Sequence, residues 1–213
     1  MHELMKDVAT HRVIAILRTK DASALVEIAE ALWQGGIKLV EVTMTVPDAL
    51  EVIRACVKAH GEKIVVGAGT VLDPETARAA VDAGARFIVS PVTDVEVIDA
   101  SHQCGAMVLP GAMTPNEIYQ AWKLGADAVK VFSARAGGPG FLKDIKGPLP
   151  DIPLVPTAGV DLANAADFIR AGALAVGLGS QLVTAEMIEE RRFEEITAKA
   201  SQLVKSVQEA AGS

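Results

Sequence analysis

Eight short runs rich in Val and Ile recur along the chain: "RVIAIL" (12–17), "IKLVEVTM" (37–44), "KIVVGAGT" (63–70), "RFIVSP" (86–91), "AMVLPG" (106–111), "DAVKVFS" (127–133), "IPLVPTAG" (152–159) and "LAVGLGS" (174–180). Most lack a polar residue at alternate positions, as strands covered on both faces do. Helical spacing fills the gaps. "DASALVEIAEALWQGG" puts Ala24, Leu25, Ile28, Ala31 and Leu32 on one stripe and ends at Gly35-Gly36, a C-cap signal. "DPETARAAVDAGA" offers Asp73 as N-cap, Pro74 at the first helical position and Gly84 at the end, and "TPNEIYQAWKLGA" repeats this with Thr114, Pro115 and Gly125. Eight βα units at this length predict an α/β fold, a compact (β/α)8 TIM barrel. A doubly wound sheet usually has fewer strands and a glycine fingerprint after the first one, whereas "RTKDAS" follows the first run here.

The 213 residues are half hydrophobic and show no linker or low-complexity segment, which predicts one domain over 1–213. A formal net charge of −7 without a Lys/Arg tract argues against a nucleic-acid or anionic-membrane partner. An acidic chain that takes an anionic substrate must concentrate its positive potential locally. Cys56 and Cys104 suggest neither a disulfide framework nor a metal motif. The start has no long apolar segment before a small-residue cleavage site, and no apolar run approaches the ~20 residues of a membrane span. The expected location is cytoplasmic. After Thr184 the pattern predicts a final amphipathic helix with a frayed tail.

In barrels of this kind the chemistry sits at the C-terminal ends of the strands. Those ends carry Arg18, Glu41 with Thr43, Thr70, Ser90-Pro91, Pro110-Gly111, Lys130 with Phe132 and Ser133, Thr157-Ala158-Gly159, and Gly177 to Ser180. Alternation puts Ala128, Lys130 and Phe132 on one face of the sixth run, with Val129 and Val131 on the other. It likewise puts Leu39, Glu41 and Thr43 opposite Val40, Val42 and Met44. The all-apolar faces should meet the helices, leaving Lys130 and Glu41 inside the barrel.

Two opposite charges inside a barrel are costly to keep. They could form a structural ion pair, or Lys130 could snorkel out of the strand end. The functional alternative uses the chemistry. A lysine in a dry apolar site favours its neutral amine, which attacks a carbonyl to form a Schiff base. Glu41 would then move protons as the acid/base. A metal mechanism needs clustered His and carboxylates, and His2, His11, His60 and His102 all lie away from strand C-termini. No metal and no cofactor are expected.

The loops after the seventh and eighth strands often bind phosphate through backbone N–H groups. "PTAGVD" and "GLGSQL" fit that use, because glycine lets the backbone approach a ligand closely and Ser180 can add a hydroxyl. Oriented amides hold an anion without net positive charge. Arg18 could hold a carboxylate or a phosphate as a bidentate partner, and Thr70 and Thr157 could donate hydroxyl bonds to a substrate carboxylate, with Thr43 counted in the carboxylate set.

"LVEVTMTVPDA", "VVGAGTV", "FIVSP", "LPGAMTPNE", "AVKVFSA", "GGPGFLKDIKGPLP", "LVPTAGV" and "AVGLGS" occur in order and together resemble the class I 2-dehydro-3-deoxy-6-phosphogluconate (KDPG) and 4-hydroxy-2-oxoglutarate (KHG) aldolases, with their phosphogalactonate homologues. The resemblance runs from Arg12 to about Val183. It implies a (β/α)8 barrel, a homotrimer, and cleavage of a phosphorylated keto-deoxy sugar acid to pyruvate and glyceraldehyde 3-phosphate. It also implies Lys130 as the Schiff-base residue and Glu41 as the acid/base acting through water. Arg18 and Thr70 fall at the carboxylate end, and Thr157, Ala158, Gly159, Gly179 and Ser180 at the phosphate end. Three positions depart from the common pattern. Thr45 replaces an arginine four residues after the glutamate, "FSA" with Ser133 replaces "FPA", and "TAG" with Ala158 replaces "TGG". If position 158 needs positive φ, alanine is strained there. Beside the gluconate substrate, the galactonate epimer, 4-hydroxy-2-oxoglutarate, and an imine-free isomerase or synthase on the same barrel remain open.

Overall fold

The computed structural model describes residues 2–212 and turns the eight runs into parallel strands. They are β1 (Val13–Leu17), β2 (Leu39–Thr43), β3 (Val65–Gly69), β4 (Phe87–Val89), β5 (Met107–Leu109), β6 (Gly111–Ala112), β7 (Val129–Val131), β8 (Leu154–Pro156) and β9 (Val176–Leu178). The fifth run yields two strands because Pro110 has no N–H to give the ladder. One sheet runs β5-β4-β3-β2-β1-β9 and the other β6-β7-β8. Two seams join them into a barrel. At the first, Lys130 N–H donates to Pro110 O at 2.9 Å and Asp127 N–H to Val108 O at 3.1 Å. At the second, Thr157 bridges Gly177, and Leu174 N–H donates to Leu154 O at 2.9 Å. The architecture is the (β/α)8 barrel that the alternating runs predict.

The connecting helices are α2 (Leu25–Gln34), α3 (Ala49–His60), α4 (Pro74–Asp82), α5 (Val95–Gln103), α6 (Pro115–Lys123), α7 (Gly138–Lys146), α8 (Ala165–Arg170) and, at the end, α9 (Ala185–Glu189) and α10 (Phe193–Ala211). The predicted caps form. Asp73 Oδ1 accepts from Thr76 N–H at 2.7 Å, and Thr114 and Glu117 close a reciprocal capping box. The expected frayed tail is instead helical to Ala211. Ile196, Ala200, Leu203 and Val207 of α10 are fully buried, which holds the helix in place.

Strand alternation separates two apolar volumes. Val40, Val42, Val129 and Val131 face outward into the helix layer, while Ile14, Leu39, Val65, Phe87, Met107, Ala128 and Val155 fill the barrel. A helix not foreseen from sequence, α1 (Met5–His11), precedes β1. Met5 and Val8 of α1, with Leu4 before it, join the inner cluster and plug the end where the strands begin. Each such side chain contributes about 1.5–3 kcal/mol when fully buried. With one end plugged by hydrocarbon, the open end is the one where the strands finish. Among the described residues no helix is long and apolar enough to cross a membrane.

Candidate active site

Lys130 sits mid-strand in β7, in register with Gly111 on one side and Val155 on the other. It is 6% exposed, and Glu41 on β2 is 2% exposed. Both side chains line one small internal cavity of about 10 Å³, walled by Ile14, Val89, Leu109 and Val155 and completed by Thr157 and Gly177. A volume of that size suits a single water. Among the described residues no ion pair joins Lys130 to Glu41, so the structural-pair alternative is not what the fold builds. Nor does Lys130 snorkel into solvent; its Nζ lies 5.3 Å from the centre of the Phe132 ring.

Burial pushes the Glu41 carboxyl above the usual carboxylate range, opposed in part by the charges of Lys130 and Arg18. Its position depends on β3. A Cβ at Gly69 would overlap Glu41 Oε1, so the strand must be bare there.

Above the internal cavity a larger cleft of about 230 Å³ opens at the strand ends. Lys130 and Thr157 line both spaces and connect them. Arg18, Phe132, Ala158, Gly159, Gly179 and Ser180 are on the cleft wall. Thr157 is 4% exposed, and its Oγ1 has no hydrogen-bond partner in the fold. A buried hydroxyl left this way is costly unless a ligand or water uses it.

Two backbone outliers mark the same end of the barrel. Thr70 has φ 59° and Ala158 has φ 58°, left-handed values that cost a non-glycine residue of order 1–2 kcal/mol. Such strain concentrates at functional sites. Position 158 therefore does need positive φ, and this chain carries the strained residue there. At the next position Gly159 has φ 109°, and a Cβ would stand 2.6 Å from Arg135 Cα. Glycine there is required by space as well as by conformation. Gly179 differs, because a Cβ there would meet nothing closer than Ile16 O at 3.4 Å.

The residues assigned to a carboxylate are less tightly gathered. Arg18 Nη2 stands 3.5 Å from Thr70 Oγ1, which ties the end of β1 to the end of β3. Thr43 is fully buried and its hydroxyl donates to Leu17 O at 3.2 Å, with Thr45 Oγ1 2.8 Å away. It braces β2 against β1, and neither Thr43 nor Thr70 lines the cleft.

Reading strand ends alone misses Arg135, which also lines the cleft. It lies four residues past the end of β7, in a 3-10 turn (Ala134–Ala136). The available signal was a lone arginine in the loop that follows the lysine strand of an acidic chain. The four histidines are elsewhere: His60 pairs with Glu30 and His102 with Asp127 in the helix layer, and none lines the cleft.

Residues 4–199 match the model of the KDPG and KHG aldolase family. The chain is 37% identical over 187 residues to the 2-dehydro-3-deoxy-6-phosphogalactonate aldolase of Escherichia coli strain K12, covering 87% of this chain and 91% of that protein. It is 33% identical to the KHG/KDPG aldolase of the same strain over 92% of each chain. Among solved structures, the KDPG aldolase of Legionella pneumophila, with pyruvate captured as a covalent carbinolamine, superimposes with a TM-score of 0.87 at 30% identity, covering 94% of this chain and 98% of that one. The match spans nearly the whole chain, and the protein belongs to the KDPG and KHG aldolase family of carbon–carbon lyases.

Proposed function

We propose that this aldolase cleaves 2-dehydro-3-deoxy-6-phosphogluconate reversibly to pyruvate and glyceraldehyde 3-phosphate, with Lys130 as the imine-forming residue and Glu41 as the proton shuttle. The observation that carries this reading is the pairing of a buried lysine and a buried carboxyl around a water-sized cavity, at the floor of a cleft wide enough for a small ligand.

Lys130 Nζ attacks the C2 carbonyl through its lone pair to give a carbinolamine, which loses water to form the iminium. A base then takes the proton from the C4 hydroxyl. The C3–C4 bond breaks, its electron pair moves into the iminium, and the aldehyde leaves. The enamine takes a proton at C3, and hydrolysis releases pyruvate and restores the amine. Glu41 suits the proton transfers because burial raises its affinity for a proton above that of an ordinary carboxylate. The absence of a direct Lys130–Glu41 ion pair among the described residues leaves room for a water to relay the proton. Thr157 Oγ1 has unused hydrogen-bonding capacity for the bound keto acid, and Arg18 with Thr70 is assigned to its carboxylate. The loops at 157–159 and 179–180 take the phosphate.

A second substrate reading is the C4 epimer, 2-dehydro-3-deoxy-6-phosphogalactonate, supported by the 37% identical relative. The family resemblance also supports a homotrimer. Leu72, Val92, Val95 and Phe132, all in or beside strand-end loops, expose between 42% and 55% of their surface, apolar area suited to a second copy. Light scattering of the purified chain measures that state directly.

Intact-mass spectrometry after incubation with pyruvate and sodium borohydride tests the chemistry. One reduced adduct per chain on Lys130, absent in Lys130→Ala, is expected. A folded wild type without an adduct would sink the imine mechanism. Cleavage rates on the two epimers and on 4-hydroxy-2-oxoglutarate then select the substrate.

A further inference from the structure

We propose that Arg135 is a specificity-determining residue that binds a phosphate monoester dianion on the aldehyde half of the substrate; this rests on the aldolase reading of the cleft. Two arginines, Arg18 and Arg135, and one lysine, Lys130, line the cleft, and no carboxylate does, although the whole chain carries a formal charge of −7. Lys130 is committed to the carbonyl carbon. Arg18 leans toward Thr70 at the end of β3. Arg135 stands beside that loop.

Its backbone is clamped there. Arg135 N–H donates to Ala158 O at 2.7 Å, Ala134 N–H donates to Thr157 O at 2.9 Å, and Ser133 Oγ donates to Ala158 O at 3.1 Å. Gly159 packs so closely on Arg135 Cα that no side chain fits between them. The guanidinium itself makes no ion pair or side-chain hydrogen bond among the described residues, and the residue is exposed toward the cleft. A fixed base with an unengaged fork of donors suits bidentate capture of a phosphate. The backbone at 158–159 and 179–180 offers amides to an anion, the Thr157 N–H being already given to Val131 O at 3.0 Å, and Arg135 adds charge beside the loop it is bonded to. The strained Ala158 carbonyl is thereby used to aim an arginine as well as to shape a loop.

The test compares wild type, Arg135→Ala and Arg135→Lys on 2-dehydro-3-deoxy-6-phosphogluconate and on its unphosphorylated counterpart. Calorimetry with inorganic phosphate and pyruvate trapping accompany the kinetics. For Arg135→Ala, KM for the phosphorylated acid should rise about 10- to 100-fold with kcat little changed, the size expected for losing a charged hydrogen-bonding partner. Activity on the unphosphorylated acid and pyruvate trapping should be unchanged, phosphate binding should weaken about tenfold or more, and Arg135→Lys should recover part of the loss. An unchanged KM, or equal losses on both substrates, overturns the assignment. If the wild type traps no pyruvate, the aldolase reading fails separately, and unaltered phosphate affinity in Arg135→Ala then overturns the anion site by itself.

Discussion

The inside of this barrel holds two environments on one axis. Toward the strand starts, Leu39, Val65, Phe87 and Met107 pack beneath the plug of Leu4, Met5 and Val8 with no polar side chain among them. Toward the strand ends, β2, β7 and the end of β8 point Glu41, Lys130 and Thr157 into nearly equal burial. The exposure is alike and the chemistry opposite. The lower half gains free energy from every side chain it hides, whereas the upper half hides two ionisable groups and a hydroxyl without a partner. One end stabilises the fold, and the other gives up part of that stability to bury polar groups.

Exchanging a residue in each half gives the largest expected contrast. Phe87→Ala should cost about 3–5 kcal/mol of stability by opening a cavity in the plugged half. At about 2–4 °C per kcal/mol for a chain of this size, calorimetry should see a drop of roughly 6–20 °C, with kcat per folded molecule largely kept. Lys130→Met should do the reverse, lowering kcat by roughly 10⁴-fold or more while the melting temperature holds or rises. Similar damage to both properties from both changes would dissolve the distinction.

Glu41→Gln sharpens it with pH. Its loss should lower kcat by about 10²–10⁴-fold. Burial raises the folded-state pKa of Glu41, so the folded chain holds this proton more tightly than the unfolded one. The stability that Glu41 contributes is therefore fully present below the ordinary carboxylate pKa of about 4.3 and is lost as pH rises through the raised value. Melting curves should show the Gln variant the more stable near neutrality, with the gap closing toward pH 4. A gap that widens on acidification would mean that Glu41 is held as a satisfied carboxylate.

The smallest effect concerns the cleft rim. Ala158→Gly should relieve the left-handed strain and raise stability by about 1 kcal/mol, a shift of roughly 2–4 °C. An unchanged or lower melting temperature would show that the strain is offset elsewhere.

The strands were legible because double-sided burial leaves uninterrupted Val/Ile runs, and the helix starts because Asp73 and Thr114 have one local job each. The placement of Lys130 and Glu41 was legible for a related reason: a charge inside an apolar run has few places to go. Helix α1 was not, since "MKDVATH" has only Met5 and Val8 to bury and its reason for folding is the distant barrel floor. The φ of Ala158 was posed by the sequence as a question, because the same three letters fit either sign. Thr43 fits the alternation yet turns its hydroxyl to Leu17 O, and which neighbour a hydroxyl chooses is a matter of three-dimensional distance. Arg135 escaped because loops carry no period from which to read direction.

The joints between neighbouring strands of the barrel differ in a way that bears on motion. β2 and β3 share five residues in register, whereas β8 and β9 meet through one bridge, at Thr157 and Gly177, and the Leu174–Leu154 hydrogen bond. The least-laced joint of the wall thus lies beside the lysine strand and under the 157–159 loop. Backbone openings of lowest free energy are expected where the ladder is shortest. A ligand entering there can spread the staves at their loosest joint, and the long ladders across the barrel keep the cylinder round.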